Sequence, residues 1–411
     1  MRPLDHPGRA LRGAAVLLLA VLASGCVSTT VKTVNFEPAA TADDIVEEEL
    51  LDVGVAIFDP NFPEEWEDQE AENILPDVRM AEARYMPQIL KATLQESGNW
   101  GAVRVLPRES AAVDLAIDGR IENSDGELLV VHIRAVDATG AVWLDQDYSY
   151  QTSKYAYETG SPDRLDPFQP LYNSIANDLL AERQARTSEE LRRIRQVAEM
   201  RFAQSFAPEA FADFAVEDRN GRWRLQRLPA ENDPMLDRIR RVREREYLFI
   251  DTLDEYYSEF RRDMSVAYQD YRRYTYDEAV RVRQLQEEYR RRLMAGTVLA
   301  IGGIAAAAAS DSPYARNAGY LGVLAGGLAL RSSFESRAEA RIHMEAIREL
   351  GTSLEGEVTP QVIELDDRTF TLTGTVDEQY ESWRGILREL YRTEQGLPVE
   401  AAADARASAG S

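Results

Sequence analysis

Residues 51–58 read LDVGVAIF, a short apolar run rich in β-branched side chains, and they predict a buried strand. A helical pattern follows over residues 80–97, with apolar side chains every three or four positions up to a stop at Gly98. Further β-rich segments, separated by turn sequences rich in Asp and Gly, lie at 102–106, 114–121, 128–136 and 142–150. The order β-α-β-β-β-β predicts an α/β domain over residues 51–155.

Three motifs in this domain carry a resemblance. They are the opening strand VGVAIF at 53–58, VDLAIDG at 113–119 and VDATGAVW at 136–143. They are similar to the small periplasmic domain shared by the curli secretion lipoprotein, the lipoprotein activators of penicillin-binding proteins and the amino-terminal domain of TolB. The resemblance covers residues 51–150 and implies a role in scaffolding or assembling envelope machinery, without enzymatic activity.

The first 25 residues are typical of a bacterial signal peptide. Arginines precede a ten-residue apolar stretch at 14–23, which is too short to span a bilayer. The stretch leads into LASGC at 22–26, which resembles the lipobox of bacterial lipoproteins, although Ala23 stands where that motif usually has leucine.

The lipobox resemblance makes Cys26, the chain's single cysteine, the expected lipidation site. It implies acylation of Cys26, by palmitate or similar chains, and a mature protein anchored through membrane lipid. Val27 in place of aspartate implies sorting to the outer membrane, on the periplasmic face. The alternative is ordinary cleavage that leaves Cys26 as an unpaired thiol. Residues 26–50, which are rich in acidic side chains, predict a solvated tether.

Residues 171–294 predict a helical domain. A hairpin signal around Asn220-Gly221 interrupts the helical pattern at 214–228. Asp233-Pro234 then opens a long helix over residues 235–294, which would extend ~90 Å at ~1.5 Å per residue. Such a rod needs a neighbour, either the helices of residues 171–206 or a second subunit.

Apolar side chains on the long helix repeat with the heptad spacing typical of a coiled coil. They are Ile250, Leu253, Tyr257, Phe260, Met264, Ala267, Tyr271 and Tyr274. The tyrosines in this seam argue against a leucine zipper and favour packing within one chain.

Residues 295–331 predict a helical hairpin of two uncharged, Gly- and Ala-rich arms. Small residues at helix-packing spacing are candidates for helix packing or membrane contact. They are Gly302, Gly303, Gly322, Gly326 and Gly327. Two interpretations stay open: the hairpin packs against protein or self-associates, or it enters a membrane or lines a ring in a homo-oligomer.

The remaining chain predicts a helix and a ββα unit over residues 332–394, followed by a disordered tail at 398–411. The overall fold class is therefore α+β, with a small α/β domain, a long-helix bundle and a C-terminal ββα unit.

Composition narrows the function. The net charge of −24 disfavours nucleic acid, and three histidines with one cysteine leave no motif for a metal or cofactor. The strand residue His132 and the helix residue His343 are expected to be packing or surface side chains. The sequence carries no catalytic motif, so we expect a non-enzymatic envelope scaffold or assembly factor whose protein partner it does not identify. The alternatives are an oligomeric export-pore accessory and an envelope hydrolase that uses a carboxylate pair.

Overall fold

The structure, a computed structural model, describes most of the predicted domains. The described residues are 45–63, 65, 74–106, 113–157, 166–230, 232–307, 345–346, 348–349, 361–365 and 368–394. The predicted signal peptide, Cys26, His343, the second arm of the apolar hairpin and the tail at 398–411 lie outside them, as do Gly322, Gly326 and Gly327.

The predicted first strand lies inside a five-stranded mixed sheet of order β2-β1-β3-β4-β5. Its strands are β1 (Val53–Ala56), β2 (Val103–Leu106), β3 (Leu115–Ser124), β4 (Leu128–Asp137) and β5 (Val142–Gln151). β1 is parallel to β2 and β3, whereas β3, β4 and β5 are antiparallel. A parallel pair needs a crossover, which helix α1 (Pro76–Glu96) supplies between β1 and β2. The predicted β-α-β-β-β-β order is confirmed.

The two faces of the sheet differ because side chains alternate along each strand. Leu115, Ile117 and Ile121 of β3 are buried with apolar partners on β4, and this face packs against α1 and α2 (Gln169–Gln184). On the opposite face His132 contacts Asp147 through Nδ1 at 2.8 Å and Asp145 through Nε2 at 3.0 Å. Around His132 this face is polar, whereas toward β2 it carries Leu106 and Ala116, which pack into a second hydrophobic core.

The helical region begins with α2 and α3 (Ser188–Phe206), and Thr187 and Glu190 form a capping box at the start of α3. A one-turn helix, α4 (Pro208–Phe211), leads into β6 (Ala215–Glu217) and β7 (Trp223–Leu225). Gly221 takes a positive φ of 75° in the turn, so the hairpin predicted at 214–228 is confirmed.

Helix α5 runs unbroken over Pro234–Ala307, 74 residues or ~110 Å at ~1.5 Å per residue. Asp233 caps it by accepting the Met235 N–H at 2.8 Å. The predicted end at residue 294 is corrected: the first arm of the apolar hairpin, with Gly302 and Gly303, continues the same helix. The loss of charge at residue 295 suggested a boundary, but alanine is a strong helix former and no proline stops the helix there.

The buried stripe of α5 follows the predicted heptad seam from Ile250 to Met264 and then departs from it. Tyr268 and Arg272 are buried, whereas Tyr274 is 42% exposed. A straight helix repeats every 3.6 residues, so its contact face drifts from a 3.5-residue seam. Among the described residues α5 packs on α1, α3 and β2 of its own chain, in agreement with the intramolecular interpretation.

The C-terminal unit consists of β8 (Gln361–Leu365), β9 (Arg368–Leu372) and α6 (Val376–Glu394), as predicted. Helix α6 packs on α5, and the rings of Phe249 and Trp383 lie 5.4 Å apart. None of the helices in the described ranges combines the length and apolar character that a bilayer span requires.

Candidate interaction site on the long helix

Helix α5 belongs to two hydrophobic cores. Its first part, from Leu236 to Tyr257, packs with the outer sheet strand β2, with α3 and with α6. Its next part, from Phe260 to Tyr268, packs into the core between the sheet, α1 and α2. One continuous element therefore joins the α/β domain to the C-terminal unit.

Arg272 is one of the two most deeply buried charges on α5 among the described residues, the other being Glu246. Its side chain is 1% exposed, and Nη1 donates to both oxygens of Asp166 at 3.2 Å. The guanidinium also lies over the ring of Tyr268 at 3.7 Å, a cation–π contact. Burial alone would lower the pKa of Arg272, but the electrostatic interactions with Asp166 and with the surrounding tyrosines together offset this and hold that pKa above its usual value.

The β3–β4 turn approaches α5 at the same level. A Cβ on Gly126 would lie 2.4 Å from the carbonyl oxygen of Arg272 and 2.8 Å from the amide nitrogen of Tyr276. The Gly126 carbonyl accepts the Tyr157 hydroxyl at 2.7 Å. The sequence marked this glycine as a turn residue; the structure gives it a further reason, close contact with a helix backbone.

Asp254 of α5 covers the edge of the sheet. Its Oδ1 accepts the backbone N–H of Val105 in β2 at 3.3 Å and the side-chain amide of Gln88 at 3.1 Å. Lys91 of α1 pairs with its Oδ2. An edge strand exposes unpaired backbone groups, so this carboxylate satisfies one of them and fixes α5 against β2.

Glu246 joins α5 to the C-terminal unit. It is fully buried, accepts the Tyr380 hydroxyl at 2.8 Å and lies 3.5 Å from Nε of Arg384. Burial raises the pKa of Glu246, and the charge of Arg384 opposes that shift. The contact therefore holds α6 at a defined position along α5.

Sequence reasoning missed these polar contacts. Arg272 stands beside a predicted seam position, and Asp166 falls in a segment with no predicted element. The one available signal was that Arg272 follows Tyr268 by about one helical turn. It indicates burial of Arg272 only when the contact face is known to drift from the heptad seam toward Tyr268. Of the predicted sites, Cys26, Gly322, Gly326 and Gly327 lie outside the described residues, and Gly302 and Gly303 are described only as helix backbone.

The part of the chain that the structure describes contains no group of three or more His, Cys, Asp or Glu side chains that could hold a metal ion. The buried polar contacts of Glu246, Asp254 and Arg272 can hold α5, the α/β domain and α6 in one arrangement. Each of the three charges is paired with a side chain on another part of the chain, which suits a mechanical role.

No protein-family model matches this chain, and no curated protein matches it. One solved structure that is similar in part is a dodecamer of a PelC point variant from Paraburkholderia phytofirmans. The two are 17% identical, and the match covers 37% of this chain and 96% of that chain with a TM-score of 0.20. At that TM-score we draw no argument from the likeness.

Proposed function

We propose that this chain is a non-enzymatic, lipid-anchored lipoprotein that serves as a scaffold or assembly factor on the periplasmic face of the outer membrane. The LASGC motif at 22–26 supports the anchor.

The observation that carries the scaffold role is the bridging position of α5. The helix shares both cores and is fixed at Glu246, Asp254 and Arg272 by buried polar contacts. Further along, Arg283 pairs with Glu127 at 3.2 Å, and the helical backbone then continues to Ala307, ~36 Å at ~1.5 Å per residue. A helix held this firmly keeps a bound partner at a set distance from the α/β domain.

The anchor is tested by expression in a Gram-negative host. We expect mass spectrometry to find acyl groups on Cys26 and a Cys26→Ser variant to leave the membrane fraction. The matched control is Val27→Asp, which keeps the acyl groups but moves the protein to the inner membrane. A wild-type protein without acyl groups, or a Cys26→Ser variant that remains equally membrane-bound, contradicts the proposal.

The scaffold role is tested on the outward face of α5, where Val266 is 70% exposed. A photo-crosslinking residue at Val266 is expected to give a discrete adduct with an envelope protein in cells. The same residue at Tyr155, which is 76% exposed outside α5, is the control. Equal or absent adducts at both positions contradict a partner surface on this helix.

An oligomeric export-pore accessory is the second candidate. The continuation of α5 through the small residues Gly302 and Gly303 favours it, because small side chains let helices from several copies approach closely. Mass photometry of detergent-extracted protein should then give one discrete multi-copy species. A monomer at all concentrations removes this candidate and leaves the scaffold proposal intact.

A further inference from the structure

A cleft of about 380 Å³ lies where the parallel strands β1 and β3 begin, between α3 and α5. Its floor is formed by Asp52 and Asp114, the residues directly before the two strands. Its walls carry Arg195 from α3 and Arg240 and Arg243 from α5. The volume is in the range that proteins use to enclose small ligands, ~300–1,000 Å³.

The carboxyl group of Asp114 is only half satisfied. The residue is 1% exposed, and its Oδ2 accepts the Asp52 N–H at 2.9 Å. Its Oδ1 is buried on the cleft floor, and within the described residues it accepts no hydrogen bond. A buried acceptor left without a donor is costly, so the site favours a ligand that brings one.

Two guanidinium groups flank this carboxyl group without reaching hydrogen-bond distance. Nη2 of Arg243 lies 3.8 Å from Oδ1, and Nε of Arg195 lies 3.9 Å from Oδ2. The Tyr247 hydroxyl accepts from Nε of Arg243 at 3.1 Å, and the Glu47 carbonyl accepts from Arg195. Both cations are therefore held in place beside the carboxyl group of Asp114, and Arg243 is the one next to its open oxygen.

The charges that line the cleft are nearly balanced. Four carboxylates (Asp52, Asp114, Glu199 and Glu244) face three guanidinium groups, and Arg240 is already paired with Glu199 at 2.6 Å. A ligand of large net charge gains little from such a lining. A ligand that carries both a cationic donor and an anionic acceptor matches the carboxyl group of Asp114 and the guanidinium groups beside it.

We propose that this cleft binds a small zwitterion of the α-amino-acid class. The ammonium group of the ligand donates to Oδ1 of Asp114, and its carboxylate faces Arg195 in the field of Arg243. The remaining volume accommodates the ligand's side chain. This binding site is independent of the lipid anchor and of the scaffold surface on α5.

Binding is tested on the full chain by thermal shift and isothermal titration calorimetry with the standard L-amino acids. We expect at least one of them to bind saturably. The analogue that lacks its ammonium group and the analogue that lacks its carboxylate should each bind at least ~10-fold more weakly, a loss of ~1.4 kcal/mol for each missing charged group. Equal binding of the amine overturns the proposal in favour of a cation site. Equal binding of the acid overturns it in favour of an anion site, and no binding by any amino acid overturns it outright.

Variants locate the site. Asp114→Asn can still accept the Asp52 N–H but lacks the negative charge, so we expect at least a ~10-fold loss of affinity. Arg195→Gln, at a partly exposed position that is less critical for folding, should give a similar loss. The matched control is Arg192→Gln on the same helix outside the cleft, which should bind as the wild type does. Unchanged affinity in both cleft variants, or an equal loss in the control, refutes the assignment.

Discussion

Replacing Arg272 by methionine tests most directly whether the buried polar contacts of α5 fix this helix. The change keeps an unbranched apolar stem, although methionine is shorter than arginine, and it removes the guanidinium group that pairs with Asp166; the side chains of both residues in this pair are 1% exposed. Asp166 is then left as an uncompensated buried carboxylate, which costs about 3–5 kcal/mol. At ~2–4 °C per kcal/mol for a chain segment of this size, we expect the melting temperature to fall by roughly 6–20 °C.

The neighbouring Arg273 supplies the matched control. Its side chain is 42% exposed and pairs with Asp270 at 3.0 Å on the helix surface. An exposed pair of this kind contributes little, so Arg273→Met should change the unfolding free energy by less than about 1 kcal/mol. Urea unfolding followed by circular dichroism, with calorimetry for the melting temperature, measures both variants.

The partner variant separates a lost ion pair from lost packing. Asp166→Asn keeps the acceptor for the Phe168 N–H, which donates to Asp166 at 2.9 Å, and removes the stranded charge. Adding it to Arg272→Met should recover most of the loss, with a coupling free energy of at least ~2 kcal/mol between the two sites. If Arg272→Met costs no more than the Arg273 control, or if the two changes are simply additive, the ion pair does not fix this helix.

Three further predictions concern other contacts. Gly126→Ala should destabilise by about 1–3 kcal/mol because its Cβ meets the α5 backbone, whereas Gly385→Ala, with nothing within 4 Å, should be neutral or stabilising in thermal melts. Tyr380→Phe leaves the buried Glu246 short of a donor, so hydrogen exchange in α6 should accelerate while the sheet stays protected. Burial raises the pKa of Asp114 to about 6 in the folded chain, so the contribution of this group to stability is present below about pH 4 and is lost as pH rises through 6. In urea unfolding, the Asp114→Asn variant should therefore gain up to about 3 kcal/mol on the wild type between about pH 4 and pH 7. A pH-independent difference between the two proteins contradicts this.

The sequence predicted the sheet well because its signals are local. Each strand alternates or is β-branched, and turn glycines such as Gly140, with a φ of 81°, follow from backbone geometry alone. The same holds for the cap at Asp233 and for the two β-hairpins, β6–β7 and β8–β9. Such features require no knowledge of what lies across the fold.

What the sequence left open depends on distant residues. The pairing of Arg272 with Asp166 joins positions 106 apart, and Asp254 reaches Val105 across 149. The cleft at Asp114 likewise combines two strand ends with two helices. The periodicity of one segment gives no information about such pairings, because within its own segment each of these side chains has the pattern of an ordinary surface residue.

The polar contacts on α5 also solve a problem that its apolar seam creates. A heptad stripe packs almost equally well after a slip of seven residues, so hydrophobic burial alone leaves the position of the helix along the domain weakly determined. Glu246, Asp254 and Arg272 each have a partner on a different element, and their spacings along the helix are unequal. A slip by one heptad would unpair all three at once and bury their charges without partners, at several kcal/mol each. The buried charges therefore select one register, and a single register is what a helix needs if it is to hold a partner at a fixed distance from the α/β domain.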